Sequence, residues 1–126
     1  MKGRVLPAPC PGQWRLDTPE RTATIRGMIR HTVVFRLKHA PGSPQERDFL
    51  TALRGLAKIA TVQNFECLRQ VSPKNHFTFG ASMEFTGPEG YQFYNAHPDH
   101  VAFVQNRWVP EVADFMEIDY EPLTAG

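Results

Sequence analysis

Cysteine is scarce: Cys10 and Cys67 are the only two in a chain of 126 residues. They match no zinc-ligand spacing and build no disulfide framework, so both read as reduced thiols of a cytoplasmic protein. An excess of one charge sign is missing too. A net charge of +1 offers no electrostatic footprint for a nucleic acid or an anionic membrane as partner. No apolar run approaches the roughly eighteen residues that cross a bilayer. The first residues lack the apolar core of a secretory signal, so export is not expected.

What remains is an ordinary globular composition, 41% hydrophobic and 21% charged. A chain of this length forms one domain with a modest core, for which oligomerisation is a natural supplement. Residues 1–27 stand apart. They hold Pro7, Pro9, Pro11 and Pro19 and the basic residues Lys2, Arg4, Arg15, Arg21 and Arg26, against Asp17 and Glu20. With no apolar period they are expected to be a flexible extension, with Trp14 free to dock or not. The functional domain is expected over residues 28–122, followed by a short tail, 123–126.

Residues 29–38 alternate strictly. Ile29, His31, Val33, Phe35 and Leu37 share one face of a strand, while Arg30, Thr32, Val34, Arg36 and Lys38 share the other. A histidine on a buried strand face must be hydrogen-bonded or sit at a cavity. Ser43-Pro44-Gln45-Glu46 signals a helix start: Ser43 as N-cap, Pro44 at the first helical position and Glu46 closing a capping box. Phe49, Ala52, Leu53, Leu56 and Ile59 then give an apolar stripe, and the helix is expected over 44–59.

A second strand is expected at 62–71, with Phe65, Cys67 and Val71 on one face and Leu68 on the other. A third at 76–86 has Phe77, Phe79, Ala81, Met83 and Phe85 on one face. The turn Ser72-Pro73-Lys74-Asn75 joins them as an antiparallel hairpin. A short helix ends at Ala96, because Pro98 disfavours helical geometry at His97. A new helix starts with Pro98 and runs to Trp108 or Val109, with Pro110 marking its end. The last strand is expected at 112–120.

Strand, helix, strand, strand, helix pair, strand is the split βαβ order of an α+β, ferredoxin-like domain: a four-stranded antiparallel sheet with helices on one face. Apolar residues occupy both strand faces, as with Val34 opposite Val33 and Ile118 opposite Phe115. The uncovered face therefore calls for a partner, and a second copy of the sheet is the simplest.

Tyr94-Asn95-Ala96-His97-Pro98-Asp99-His100 concentrates the candidate chemistry. At about 100° per residue, Phe103, Val104, Trp108 and Val101 surround His100, which places it in the apolar arc facing the sheet. A buried imidazole there is either a core group bonded to a carbonyl or a general base suited to neutral pH. His97, beside the proline, reads as a cap or turn residue. Tyr94 could donate to a substrate oxygen, to His100, or simply pack. A metal reading of His97 and His100 lacks a third ligand fixed by spacing, and no metal is expected. His39 and His76 fall in turns and read as solvated.

These residues also carry a resemblance. His31, the motif His97-Pro98-Asp99-His100, Arg107-Trp108-Val109-Pro110 and Phe115-Met116-Glu117-Ile118-Asp119-Tyr120 together resemble the stress-responsive dimeric α+β barrel family, over Met28 to Pro122. The resemblance implies a homodimer whose two sheets close into a barrel. One branch of the family is similar to plant polyketide cyclases of the olivetolic acid type. These need no metal or organic cofactor and close a poly-β-keto thioester by intramolecular aldol chemistry, using a histidine and a tyrosine six residues before it. Tyr94 and His100 have that spacing, and His31 and His97 match further histidines of the site. The resemblance thus implies catalytic roles for His100 and Tyr94, substrate contacts for His31 and His97, and a small apolar or β-keto ligand. The alternative is a non-catalytic stress-associated or small-ligand-binding dimer.

Overall fold

The computed structural model describes residues 27–123; the N-terminal extension, Trp14, Cys10 and the end of the tail lie outside the described residues. Strand β1 (Met28–Leu37) opens the domain. It is followed by α1 (Pro44–Arg54), β2 (Gln63–Arg69), β3 (Phe79–Thr86), α2 (Gly87–Ala96), α3 (Pro98–Phe103), α4 (Val109–Glu111) and β4 (Val112–Tyr120). The strands form a four-stranded sheet in the order β2-β3-β1-β4, and every neighbouring pair is antiparallel. This is the expected split βαβ arrangement.

Helix α1 begins as its sequence dictates, with one difference. Ser43 caps it by accepting from Glu46 N at 3.1 Å. The Glu46 carboxylate reaches past the cap and accepts from Gly42 N at 2.9 Å, because Ser43 N already donates to Ala40 O. Gly42 can present its N–H this way at a φ of 76°, where a side chain would be strained. The helical stripe expected to Ile59 is α-helical only to Arg54; a tighter 3₁₀ turn, Gly55–Lys58, carries Leu56 into the core.

The hairpin is also shorter than its apolar pattern. β2 ends at Arg69 and β3 begins at Phe79. The Gln70 side chain occupies the loop instead, donating to Phe77 O at 2.7 Å and accepting from Ser72 N at 2.5 Å. Val71, expected on a strand face, is solvent-exposed beyond the ladder.

The helix expected to run from Pro98 to Trp108 or Val109 is continuous only to Phe103. Val104–Trp108 widens into a π-helical turn before α4, and Pro110 lies inside α4 rather than after the helix. Proline has no N–H and its ring crowds the carbonyl four residues back, so the turn preceding Pro110 relaxes to a wider hydrogen-bond register.

The sheet register fixes what faces the helices. Across β1, His31 pairs with Met83 and Asp119, Val33 with Ala81 and Glu117, and Phe35 with Phe79 and Phe115. All these residues share the helix-covered face. Ile29, Val33, Phe35 and Leu37 are buried there, joined by Phe49, Leu53 and Leu56 from the first helical segment and by Phe79, Met83 and Phe85. Strand β1 thus presents His31 to the helices. The opposite sheet face carries Leu68, Met116, Ile118 and Tyr120, at 46, 47, 38 and 52% exposure. Among the described residues no helix is long and apolar enough to cross a membrane.

Candidate functional site

A cavity of about 500 Å³ separates the inner sheet face from the helices. β1, β3 and β4 supply His31, Val33, Ala81, Met83, Phe115 and Glu117. The helical layer closes it with Leu53 and Leu56 and then, along α2, α3 and the wide turn, with Tyr94, His100, Phe103, Val104 and Trp108. The volume is that of a small-molecule site. Its polarity is graded. Phe115 and Trp108 line one end, where Trp108 packs on Phe35 and Phe49. His31, Tyr94 and His100 gather at the other, with Tyr94 6.2 Å from the His31 ring and 4.2 Å from the His100 ring, centroid to centroid.

Each polar group has a defined state. His100 Nδ1 lies 3.2 Å from Asn95 O. A carbonyl only accepts, so Nδ1 carries the proton and Nε2 is the open lone pair. Burial opposes charge on this ring and pushes its pKa down to about 4. The Asn95 carbonyl pulls the other way, and proximity to His31 and His97 lowers it further. His100 is therefore neutral at pH 7. The Tyr94 hydroxyl is buried and has no hydrogen-bond partner among the described residues. Burial first, and then the Glu117 carboxylate, push its pKa well up, so it stays a neutral donor.

His31 has the most elaborate support. Its Nδ1 donates to Asp119 Oδ1 at 2.6 Å, and Tyr91 Oη donates to Asp119 Oδ2 at 2.8 Å. Tyr91 Oη also lies 2.9 Å from His31 Nδ1, while its ring stacks on Phe85 at 5.1 Å. Burial, followed by the charge of Asp119, holds the Tyr91 hydroxyl far above its ordinary pKa. With Nδ1 engaged by Asp119, the His31 ring lines the cavity.

The model of the stress responsive A/B barrel domain family matches residues 29–122. The chain belongs to this family. A family member from Mesorhizobium loti with a ferredoxin-like fold is 60% identical, over 78% of this chain and 99% of that one, at a TM-score of 0.76. A stress-response A/B barrel domain-containing protein of Arabidopsis thaliana is 28% identical over 95 residues; these are 74% of this chain and only 36% of the plant protein, so the chain spans about a third of that relative. At the level of fold alone, the hydroxynitrile lyase of Passiflora edulis is similar, with 16% identity, 78% and 95% coverage and a TM-score of 0.69. A dimeric ferredoxin-like protein of Thermobifida fusca is 26% identical over 75% of this chain and 91% of that one, at a TM-score of 0.62.

Within this A/B barrel domain three of the four residues singled out from sequence meet at one cavity: His31, Tyr94 and His100. His97 does not line it. Its Nδ1 accepts from Asp99 N at 3.1 Å and caps α3, so the structural reading of this histidine is the one the geometry follows. Sequence reasoning missed Asp119 and Tyr91 as the partners of His31. The alternation of β4 carried a signal, since Phe115, Glu117 and Asp119 share a parity, but only the register with β1 joins Asp119 to His31. His76, expected to be solvated, is exposed and contacts Asp114 at 2.5 Å; His39, also expected to be solvated, is partly buried and contacts Glu111 at 2.7 Å. Among the described residues no group of three His, Cys, Asp or Glu could hold a metal ion. Cys67 packs half-buried against the core.

The depressed pKa of His100 makes stability pH-dependent. In the unfolded chain this imidazole takes up a proton near 6.5, in the folded domain only near 4. Between those values the unfolded state binds more protons, so stability falls as the pH drops from about 7 towards 4 and levels off below. The upper bound is roughly 3 kcal/mol. Glu111 and Asp114, whose pKa values are lowered by hydrogen bonds from Arg107 and His76 respectively, lose their contribution only below their ordinary values of 4.5 and 3.8. His100→Gln is therefore expected to flatten the decline between pH 6.5 and 5, measured as the unfolding midpoint in urea. An unchanged decline would place its origin elsewhere.

Proposed function

We propose that this A/B barrel domain forms a homodimer in which each subunit performs cofactor-independent proton transfer on an enolisable carbonyl compound, as a lyase or cyclase of the intramolecular aldol type. The observation that carries this reading is the grouping of two imidazoles whose Nδ1 atoms are engaged with one buried phenol that has no hydrogen-bond partner among the described residues, at the polar end of a largely apolar cavity. Such a site can take a proton next to a carbonyl and hydrogen-bond the oxygen on which charge develops. Tyr94 is the donor to the developing enolate or alkoxide. His100, carried over from the cyclase resemblance as the catalytic histidine, contributes an open acceptor. His31 is placed to take the proton, because Asp119 stands behind its other nitrogen to meet the charge that forms, as the aspartate does in a catalytic triad. The likeness in fold to a hydroxynitrile lyase supports lyase chemistry on this scaffold.

Deuterium uptake at the carbon between the two carbonyls of a β-keto thioester tests the reading. The domain is expected to accelerate it, and His31→Ala and His100→Ala to slow it. A panel of such thioesters with no acceleration by the unaltered protein leaves the non-catalytic, ligand-binding dimer as the function.

The dimer is supported by the apolar outer sheet face and by the dimeric relative from Thermobifida fusca. Ile118, flanked on that face by Met116 and Tyr120, pairs with Thr32 near the middle of the ladder. Light scattering at micromolar concentration is expected to give a dimer, and Ile118→Lys a monomer, since it puts a charge into the apolar face that the dimer would cover. A monomeric unaltered protein would end the homodimer proposal. A cytoplasmic setting, consistent with reduced thiols, belongs to the same proposal.

A further inference from the structure

The motif His97-Pro98-Asp99-His100 holds two histidines, and of these His100 lines the cavity while His97 does not. The backbone at the break between α2 and α3 gives each ring its own task. Pro98 has no N–H and keeps the residue before it out of helical geometry; His97 is extended, at φ −63° and ψ 134°. In an unbroken helix the Asn95 carbonyl would accept from Asp99 N, four residues on. Here Asp99 N donates to His97 Nδ1 at 3.1 Å instead, while His97 N donates to Tyr94 O and Val101 N to His97 O. The Asn95 carbonyl is left for a side chain, and His100 Nδ1 takes it at 3.2 Å. The first imidazole stands in for a backbone acceptor, the second for a backbone donor. Phe93 and Tyr94 at the end of α2 back the two rings, His97 at 5.6 Å and His100 at 4.2 Å between centroids.

The placement of one proton depends on this exchange. Burial holds the His100 pKa down at about 4, so at pH 7 the ring carries a single ring proton, on one nitrogen or the other. A backbone N–H only donates, so His97 presents a lone pair at Nδ1. A carbonyl only accepts, so His100 presents a hydrogen there. The other tautomer of His100 would leave the Asn95 carbonyl without its donor and put a hydrogen on Nε2. We propose that His97 is the positioning residue for His100: by drawing off the Asp99 N–H it leaves the Asn95 carbonyl to hold His100 as the Nδ1–H tautomer, with Nε2 free to accept. His97 thus acts through His100 rather than on a ligand. The inference rests on reading His100 as a working group of the cavity and deepens that reading, because an imidazole with its hydrogen on the cavity nitrogen cannot accept a proton or a hydrogen bond there.

Long-range ¹H–¹⁵N correlation spectra of the full chain, labelled at the histidine rings, read the tautomer directly, with His100→Gln to assign the signal. At pH 7 the unaltered protein is expected to show His100 as the Nδ1–H form. In His97→Ala the cap is gone, which is worth about 2- to 30-fold in an equilibrium, and the ratio of Nδ1–H to Nε2–H is expected to fall by a similar factor. Asparagine is a strong capping residue whose side-chain oxygen accepts from the same N–H, so His97→Asn is expected to restore the Nδ1–H form. A role for His97 in packing predicts no such difference between the two variants, since both lose the ring. His100 as Nε2–H in the unaltered protein overturns the inference, and so does an unchanged tautomer ratio in His97→Ala. Should His97→Ala fail to fold, His97→Asn decides, and loss of the Nδ1–H form there overturns the inference as well. The spectra involve no substrate, so failure of the aldol reading and failure of this inference are separate results.

Discussion

His31→Ala is expected to slow deuterium uptake by a β-keto thioester about 10²- to 10⁴-fold, the usual range for losing a positioned general base. The size follows from how the ring is held. Asp119 Oδ1 is 2.6 Å from Nδ1, and Tyr91 anchors the second carboxylate oxygen at 2.8 Å. The tautomer and the plane of the imidazole are thus set before substrate arrives, and the charge it acquires meets a carboxylate. Two further substitutions place His31 in this network. Asp119→Asn keeps the shape and removes the charge, and is expected to fall short of the His31→Ala loss. Tyr91→Phe keeps the stack on Phe85 and removes one hydrogen bond, with the smallest effect of the three. The comparison with His100→Ala decides which histidine takes the proton. A rate preserved in His31→Ala but abolished in His100→Ala would make His100 the base, despite the pKa of about 4 that burial gives it.

Phe35→Ala is expected to cost about 3–5 kcal/mol of unfolding free energy, the range for truncating a fully buried phenylalanine. Phe35 has no exposed surface. It touches the rings of Trp108, Phe79 and Phe49 at 5.0, 5.7 and 5.9 Å, which joins the sheet to α1 and to the turn before α4. A domain of this size has about 5–15 kcal/mol in total, so the variant retains little. Trp108 and Phe115 line the apolar end of the cavity, Trp108 against the Phe35 ring and Phe115 against Trp108, and ligand affinity is expected to fall with stability. Urea unfolding monitored by far-UV circular dichroism gives the first quantity. A loss under about 1 kcal/mol would mean that the helices close over the gap, and that the aromatic cluster is more plastic than its burial implies.

Much of the fold was legible because local rules and global packing agree in it. The alternation of 29–38 needs no partner to be read as a strand, and Ser43-Pro44 with Glu46 three residues on is a local helix-start signal. The errors fall where a residue's behaviour depends on something outside its own segment. Gln70 and Val71 carry a strand pattern, yet the Gln70 amide ends the ladder by bonding the loop. The stretch from Pro98 to Trp108 has helical spacing, yet Pro110, beyond its end, widens its last turn. Val101, counted in the apolar arc around His100, is 38% exposed, because the cavity lies toward Tyr94 and Phe103 rather than beneath the whole arc.

The candidate site divides the same way. Sequence alone determined that His31 lies on an apolar strand face, that Pro98 breaks the helix after Ala96, and that Tyr94 and His100 flank the break. These are consequences of periodicities of about two and 3.6 and of the ring of proline, all of them local. Only the tertiary structure decided that the His31 face is the one the helices cover, that His97 spends its imidazole on capping α3, and that Asp119 and Tyr91 complete the support of His31. The physical reason is sequence distance: Asp119 lies 88 residues from His31, and nothing but the antiparallel register of β1 with β4 brings carboxylate and imidazole within a hydrogen bond.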